Sequence, residues 1–286
     1  MPAKQPTLYL VGTPIGNLED ISLRALRILK EADLIACEDT RQTAKLLNHY
    51  GVETRTISYH EHNELTRAAE LIMHLEQGQS IALVTDAGMP GISDPGFRLV
   101  SLAIRHKVPV VPIPGASAFL NALVASGLPT DSFVFHGFLP AKLGQRRKLL
   151  QEIQASPWTQ IFYEAPHRLL GTLEDIAEVM GAQRRVVVAR EVTKIYEEFV
   201  RGAAAEVLAD FKKREEVRGE ITLLIGRAEE LPHGVPAVAQ KNARSRVREL
   251  MKSEAIDEKE AMKRVAREMG VSKSDVYREL QKDGKK

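Results

Sequence analysis

Short apolar runs and stretches of helical spacing alternate along the first half of the chain. Thr7–Val11, Leu34–Ala36, Thr54–Tyr59, Ile81–Val84 and Lys107–Ile113 read as strands. Between them, Ile21, Leu23, Leu26, Ile28 and Leu29 recur at helical spacing. Thr40–His49, Asn63–Glu76, Phe97–His106 and Ala116–Ala125 do the same, with Gly51 and Gly78 as stop signals. Five strand–helix repeats over about 125 residues predict a parallel sheet with helices on its faces. Ser126–Gly127–Leu128–Pro129 breaks the pattern, and the alternation then restarts. Strands are expected at Phe133–His136, Gln160–Tyr163, Val186–Ala189, Glu198–Arg201 and Glu220–Ile225, with helices from about His167 to Met180 and at Ala204–Lys213. Closer spacing of the β segments predicts a mixed sheet here.

A Pro- and Gly-containing linker, 231–236, precedes a third pattern that is almost wholly helical: 239–251, 257–269 and 273–281. Gly270-Val271 makes a tight turn there, and Ser272 with Asp275 forms a capping box. The expected organisation is an N-terminal α/β domain over 1–126, a second α/β domain over 127–230, and a C-terminal helical segment over 237–286. That segment is either helix-turn-helix-like or a solvated bundle.

Composition changes this picture little and charge changes it more. Hydrophobic residues make up 44% of the chain, enough for real cores. No apolar run approaches the roughly 20 residues of a membrane span, and no signal peptide is indicated. Cys37 is the only cysteine, which excludes an internal disulfide and a thiolate metal cluster and makes a reducing cytoplasm the expected compartment. The net charge of +2 is unevenly spread. Residues 241–286 carry 14 Lys and Arg against 9 Asp and Glu, leaving 26 against 29 elsewhere.

Three junctions carry candidate chemistry. Thr85–Gly96, TDAGMPGISDPG, holds three glycines, two prolines and two aspartates. It exceeds the about two to six residues of an ordinary strand-to-helix turn, and reads as a small-molecule platform. Gly12–Asn17, GTPIGN, invites a dinucleotide reading, since Glu38 lies 22 positions past Gly16. Pro14, however, stands where the fingerprint needs its second glycine, and it has no amide for a pyrophosphate. No Walker pattern is present either. Pro114–Ala118, PGASA, could offer free amides at a helix start or serve only tight helix–sheet packing. In parallel sheets ligands gather beyond the carboxyl ends of strands, where all three turns are expected.

GTPIGN with its following acidic pair, EDTR (Glu38–Arg41), TDAGMPGISDPG and PGASA together resemble the tetrapyrrole-methylase-type methyltransferases. GFLPAK (Gly137–Lys142), FYEAPHR (Phe162–Arg168), AREVTK (Ala189–Lys194) and RGE (Arg218–Glu220) narrow the resemblance. They point to the branch that methylates a cytidine ribose 2′-hydroxyl in the decoding region of small-subunit ribosomal RNA, and the likeness spans essentially the whole chain. It implies two α/β domains of that type with S-adenosylmethionine folded in the cleft between them. It also implies a homodimer, with small-subunit ribosomal RNA or the 30S subunit as partner. Carried over by position, cofactor contacts fall on Ile15, Asp86, Gly88, Met89, Ile92, Ser93, Gly115, Ala116 and Ser117. From the second half they fall on Tyr163, Ala189, Glu220, Ile221 and Thr222. One departure stands out: relatives acting on tetrapyrroles carry Gly-Asp-Pro where this chain has Gly88-Met89-Pro90.

For an in-line transfer to a hydroxyl, positioning supplies much of the acceleration, and a base or cation helps the proton leave. Glu164, His167, Glu191 and Lys194 are the catalytic candidates. The alternatives are that the two carboxylates pair with Arg168, Arg190 or Lys194, and that His167 is a polar cap. Arg41, His60, Asn63, Lys142, Arg146, Arg147, Lys148 and Arg168 are candidate RNA contacts, the run 142–148 being expected as a basic loop. His60-Glu61-His62 lacks a third spaced ligand, so no metal is expected. Two rivals remain: a methyltransferase acting on a small molecule such as a porphyrinoid, and a DNA-binding regulator with an α/β sensor body.

Overall fold

The computed structural model describes residues 5–228, 247, 250–251 and 256–268. Two five-stranded sheets make up its larger compact unit, which ends at Glu229. The first contains β1 (Leu8–Val11), β2 (Leu34–Cys37), β3 (Thr56–Ser58), β4 (Ile81–Leu83) and β5 (Val110–Ile113). Its order is β3-β2-β4-β1-β5, and every pair is parallel. Side-chain alternation along these strands divides the apolar residues between two faces. Leu8, Leu34, Ala36, Ile81 and Leu83 pack with α3 (Glu64–Glu76) and α4 (Phe97–Arg105). Val11, Ile35, Cys37, Ala82 and Ile113 pack on the other face with α1 (Leu23–Glu31) and α2 (Thr40–His49).

Helix starts follow local chemistry. Ser22 Oγ accepts from the Ala25 amide at 3.1 Å, and Asp39 Oδ1 from the Arg41 amide at 2.8 Å. Each such cap contributes about 1 kcal/mol. Lys107 takes a left-handed turn with φ +57, which delays β5 to Val110 instead of Lys107.

The second sheet, β6 (Phe133–Phe138), β7 (Thr159–Glu164), β8 (Arg185–Arg190), β9 (Glu198–Ala203) and β10 (Ile221–Ile225), is ordered β6-β7-β10-β8-β9. Only β6 and β7 are parallel, so the sheet is mixed. Phe162, Val186, Val188 and Leu223 face a core shared with α6 (Leu143–Ile153), α7 (Leu169–Met180) and α8 (Ala204–Lys212). Ile161, Val187, Ala189 and Leu224 face α5 (Ala118–Ser126) and Ile15. The helix that ends the first alternation therefore packs on the second sheet. Arg201 fastens it there: Nη2 donates to Ala125 O at 2.7 Å and Nε to Ser126 O at 3.2 Å. A cation at a helix C-terminus also complements its dipole.

Two expectations change. The basic run 142–148 is no loop, because its residues from Leu143 onward lie on α6. The helix expected from His167 begins as a 3-10 turn, Pro166–Arg168, before α7. In the second compact unit, Ala261, Met262, Val265 and Ala266 of the helix Glu258–Glu268 cluster with Val247 and Leu250. The expected capping box at Ser272 and the helix over 273–281 lie outside the described residues.

Candidate active-site cleft

The strand order brings three loops together. β4, β1 and β5 are neighbours, so the platform, GTPIGN and PGASA leave the sheet side by side at its carboxyl edge. Backbone joins them. Thr13 and Gly88 exchange amide–carbonyl bonds of 2.9 and 3.1 Å, and Thr13 Oγ1 donates to Thr85 O at 3.1 Å. Gly12 and Gly115 lie so close that a Cβ on Gly12 would stand 2.7 Å from Gly115 Cα, and one on Gly115 2.6 Å from Gly12 Cα. Both glycines therefore serve close approach, and PGASA is at least partly a packing device. Ser93 holds φ +62, an uncommon conformation for a residue with a side chain, at the cleft surface.

Facing these loops are the carboxyl ends of β6, β7 and β8 and the amino end of β10, set beside one another by antiparallel pairing. Ile221 is opposite both Glu164 and Arg190. The cleft holds about 340 Å³, within the roughly 300–1,000 Å³ of small-molecule sites. Its wall contains Ile15, Gly88, Met89, Ile92, Ser93, Ser117, Tyr163, Glu220, Ile221 and Thr222, all expected as cofactor contacts. Four other expected contacts lie off this wall. Asp86 is exposed and its Oδ1 accepts from the Asp39 amide at 3.2 Å. Gly115 is packed on Gly12, Ala116 faces a neighbouring hollow, and Ala189 is buried in the core as the register partner of Thr222.

The wall carries three carboxylates, Asp94, Glu164 and Glu220, and no Lys, Arg or His. Glu164 is not free to act. Its side chain is 0% exposed; Oε1 accepts from Arg168 Nη2 at 2.5 Å and from the Ala165 amide at 2.7 Å, and Oε2 from Thr172 Oγ1 at 2.6 Å. Expected as a catalytic carboxylate, it is instead the anchor of the turn leading into α7, the pairing alternative. Arg168 is likewise engaged there and is not a free RNA contact.

Glu191 and Lys194 form a second locked group. Lys194 Nζ lies 3.0 Å from Glu191 Oε1 and 3.2 Å from Glu220 Oε2, while Glu191 Oε1 also accepts the Glu220 amide at 2.8 Å. Burial works against the Lys194 charge, but Glu191 and Glu220 outweigh it and raise its pKa. Burial opposes the Glu191 charge too, yet the Glu220 amide and Lys194 leave its pKa lowered. Both stay charged, which suits positioning and not proton abstraction. Lys194 is packed over GTPIGN, since a Cβ on Gly16 would run into its Cγ. His167 is exposed on the 3-10 turn, off the wall.

Asp94 is the group that sequence reasoning passed over. Burial pushes its carboxyl up to about 6, with the Glu38 charge adding to the effect, a Thr85 hydrogen bond opposing it and Asp86 contributing further. The signal was the second aspartate of the platform, which could not be told from the first without knowing which faces inward. Tyr163 is pushed up to about 12 by burial and by the Asp94 charge, so it remains a neutral phenol. Also unforeseen on the wall are Ala87, Ala118, Phe138, Ala165, Pro166, Val192 and Gly219.

The expected RNA contacts are scattered in role. Arg41 is 88% exposed and forks onto Asp39. Asn63 fixes the turn it caps, accepting from the His60 amide at 2.9 Å and donating to Ser58 O at 3.2 Å. Arg146 is buried against Asp175, Nε to Oδ2 at 2.6 Å, and Arg147 bonds Asp175 Oδ1 at 2.7 Å. These two arginines tie α6 to α7. Lys142 and Lys148 are exposed. Among the described residues no group of three or more His, Cys, Asp and Glu could hold a metal ion, and no helix is long and apolar enough to cross a membrane.

The family model described as Tetrapyrrole (Corrin/Porphyrin) Methylases matches residues 7–208. Ribosomal RNA small subunit methyltransferase I of Halalkalibacterium halodurans is 50% identical over 274 residues, 95% of this chain and 93% of that protein. The protein of the same name from Synechocystis sp. is 46% identical over 280 residues, covering 97% of this chain and 99% of its own. Among solved structures, diphthine synthase matches with TM-score 0.61 at 15% identity, over 77% of this chain and 90% of that one. Uroporphyrin-III C-methyltransferase from Thermus thermophilus, complexed with S-adenyl homocysteine, gives 0.54 at 21% identity, over 78% and 98%. These two likenesses concern the fold.

Proposed function

The chain belongs to the tetrapyrrole (corrin/porphyrin) methylase family, and from that premise we propose an S-adenosylmethionine-dependent methyltransferase of small-subunit ribosomal RNA. Its acceptor is the ribose 2′-hydroxyl of a cytidine in the decoding region, and it works in the cytoplasm as a homodimer. The observation that carries the cofactor is the lining of the cleft: mainly apolar, with Asp94, Glu164 and Glu220 as its carboxylates, and with Arg168 and Lys194 already paired to the two glutamates. Such a wall offers no free cation to a pyrophosphate and suits a small ligand carrying sulfonium and ammonium charges.

When bound, the cofactor supplies an electrophilic methyl group. The chain supplies position. Ile15, Met89, Ile92 and Ile221 exclude water, Ser117 at the start of α5 and the strand-end backbone at Glu220–Thr222 offer polar contacts, and the locked Lys194–Glu191–Glu220 group fixes one side. Asp94 takes the hydroxyl proton, because a general base is most effective with a pKa near working pH. Lys142 and Arg41, exposed at the starts of α6 and α2, and Lys148, exposed within α6, contact phosphates. The dimer reading is supported by α4, which leaves Phe97 and Ile104 in solvent seven residues apart on one stripe.

Labelled-methyl transfer tests the proposal, with small ribosomal subunits and uroporphyrinogen offered side by side and the product mapped by mass spectrometry. Label on a cytidine ribose is the expected result. Label on the porphyrinoid alone would overturn it.

A further inference from the structure

β6 and β7 run in register from Phe133 to Phe135, then slip. Phe135 is opposite Ile161 and Phe138 is opposite Tyr163, so three steps on β6 answer two on β7. The extra residue falls within His136-Gly137. Gly137 takes φ +71, and a Cβ built on it would stand 3.5 Å from Ser93 Oγ of the platform. A bulge of this kind re-aims the side chain that follows it. Without it, strict alternation would place residue 137 on the face that carries Phe135 and Tyr163. With it, Phe138 arrives there instead, its ring 5.6 Å from Tyr163 in an edge-on arrangement.

Phe135 is consumed by the protein, stacked on Phe119 at 4.4 Å. Phe138 is not: it lines the cleft and is 60% exposed. It stands on the edge strand, at the rim, whereas the deep wall is built from Glu164, Ile221 and Thr222, each no more than 3% exposed. The deep part has the size for a small donor, and the rim is the part open to a macromolecular acceptor. The same loop continues through Pro140 to Lys142, an exposed cation at the start of α6. A free aromatic face followed by a cation is the arrangement that holds an unstacked base and its phosphate.

Resting on the acceptor reading above, we propose that Phe138 is the stacking platform for the base of the target nucleotide and orients its ribose toward Asp94. The ring acts through its plane, so shape alone does not replace it.

The test uses the full-length protein with small subunits from cells lacking the enzyme. Phe138→Ala raises KM for the subunits about 5- to 140-fold, the range of base–aromatic stacking, while affinity for S-adenosylhomocysteine by calorimetry stays within about twofold. Phe138→Trp and Phe138→Tyr restore KM, and Phe138→Leu does not. Wild-type KM in Phe138→Leu, or a parallel loss of S-adenosylhomocysteine affinity in Phe138→Ala, overturns the proposal. Direct binding of oligocytidylate to the S-adenosylhomocysteine complex provides a second readout independent of transfer. Should the wild type bind it through Phe138 yet methylate no subunit, the acceptor reading fails and the stacking stands. Equal binding by wild type and Phe138→Ala removes the stacking.

Discussion

The first sheet builds its side of the cleft on turns clasped backbone to backbone, and the second braces its side with ion pairs. Parallel strands β4, β1 and β5 end in glycine- and proline-shaped turns that clasp one another through Thr13–Gly88 and Gly12–Gly115. Antiparallel pairing in the second sheet instead sets strand ends of both polarities side by side, and these carry the ionic groups Glu164–Arg168 and Glu191–Lys194–Glu220. Parallel topology places every turn of one kind at one edge, so it can build a continuous cradle. A mixed sheet offers fewer such turns and fixes its edge by charge pairing. Asp94 and Ser93 sit on the first side and face Tyr163 and Phe138 on the second.

The sharpest break in this comparison is Asp94→Asn. If the first sheet's one inward acid is the base, turnover falls about 10²- to 10⁴-fold while cofactor affinity holds within about threefold. Wild-type turnover should also decline as pH falls through about 6. The sign for stability is opposite. A carboxyl whose pKa is raised from 3.8 to about 6 on folding favours the folded state below pH 3.8, and that contribution is lost as pH rises through 6. Asp94→Asn should therefore raise Tm over wild type more at pH 8 than at pH 5, read by circular dichroism.

Next in size is Glu164→Ala on the opposite side. Removing one partner of a buried pair costs about 3–5 kcal/mol, so a lowered Tm should precede any specific loss of turnover. Unchanged Tm with lost turnover would return Glu164 to catalysis. Gly115→Ala probes the backbone clasp: its Cβ would meet Gly12 backbone at 2.6 Å, and overpacking of about 1–3 kcal/mol should weaken S-adenosylhomocysteine binding and lower Tm together. The smallest effect belongs to Lys148→Ala, 77% exposed and 3.9 Å from Glu152. It should leave stability within about 0.5 kcal/mol of wild type while reducing the salt dependence of subunit binding.

Much of the layered fold was legible because its signals are local. Ile81–Leu83 reads as a strand from its own apolar run, and Gly51 and Gly78, both at positive φ, stop the helices before them as their positions announce. The cleft was legible as a place for a related reason: Gly88, Ser93 and Ser117 lie within motifs whose backbone demands are visible as composition, while the choice of those residues came from the family resemblance. The 142–148 run misled, since four cations in seven residues look solvated until Asp175, on another helix, is seen to hold two of them.

The sequence by itself determined that parallel strands would end in special turns and that these lack the dinucleotide and Walker fingerprints, because Pro14 and the missing pattern are read directly from the residues. Only the tertiary structure decided which acids are free. Glu164 stood out in the sequence and Asp94 did not; three donors close on the first, while burial beside Glu38 leaves the second raised and facing the cleft. Availability of a charge depends on its neighbours in space, and those come from strands, turns and helices far apart in the chain.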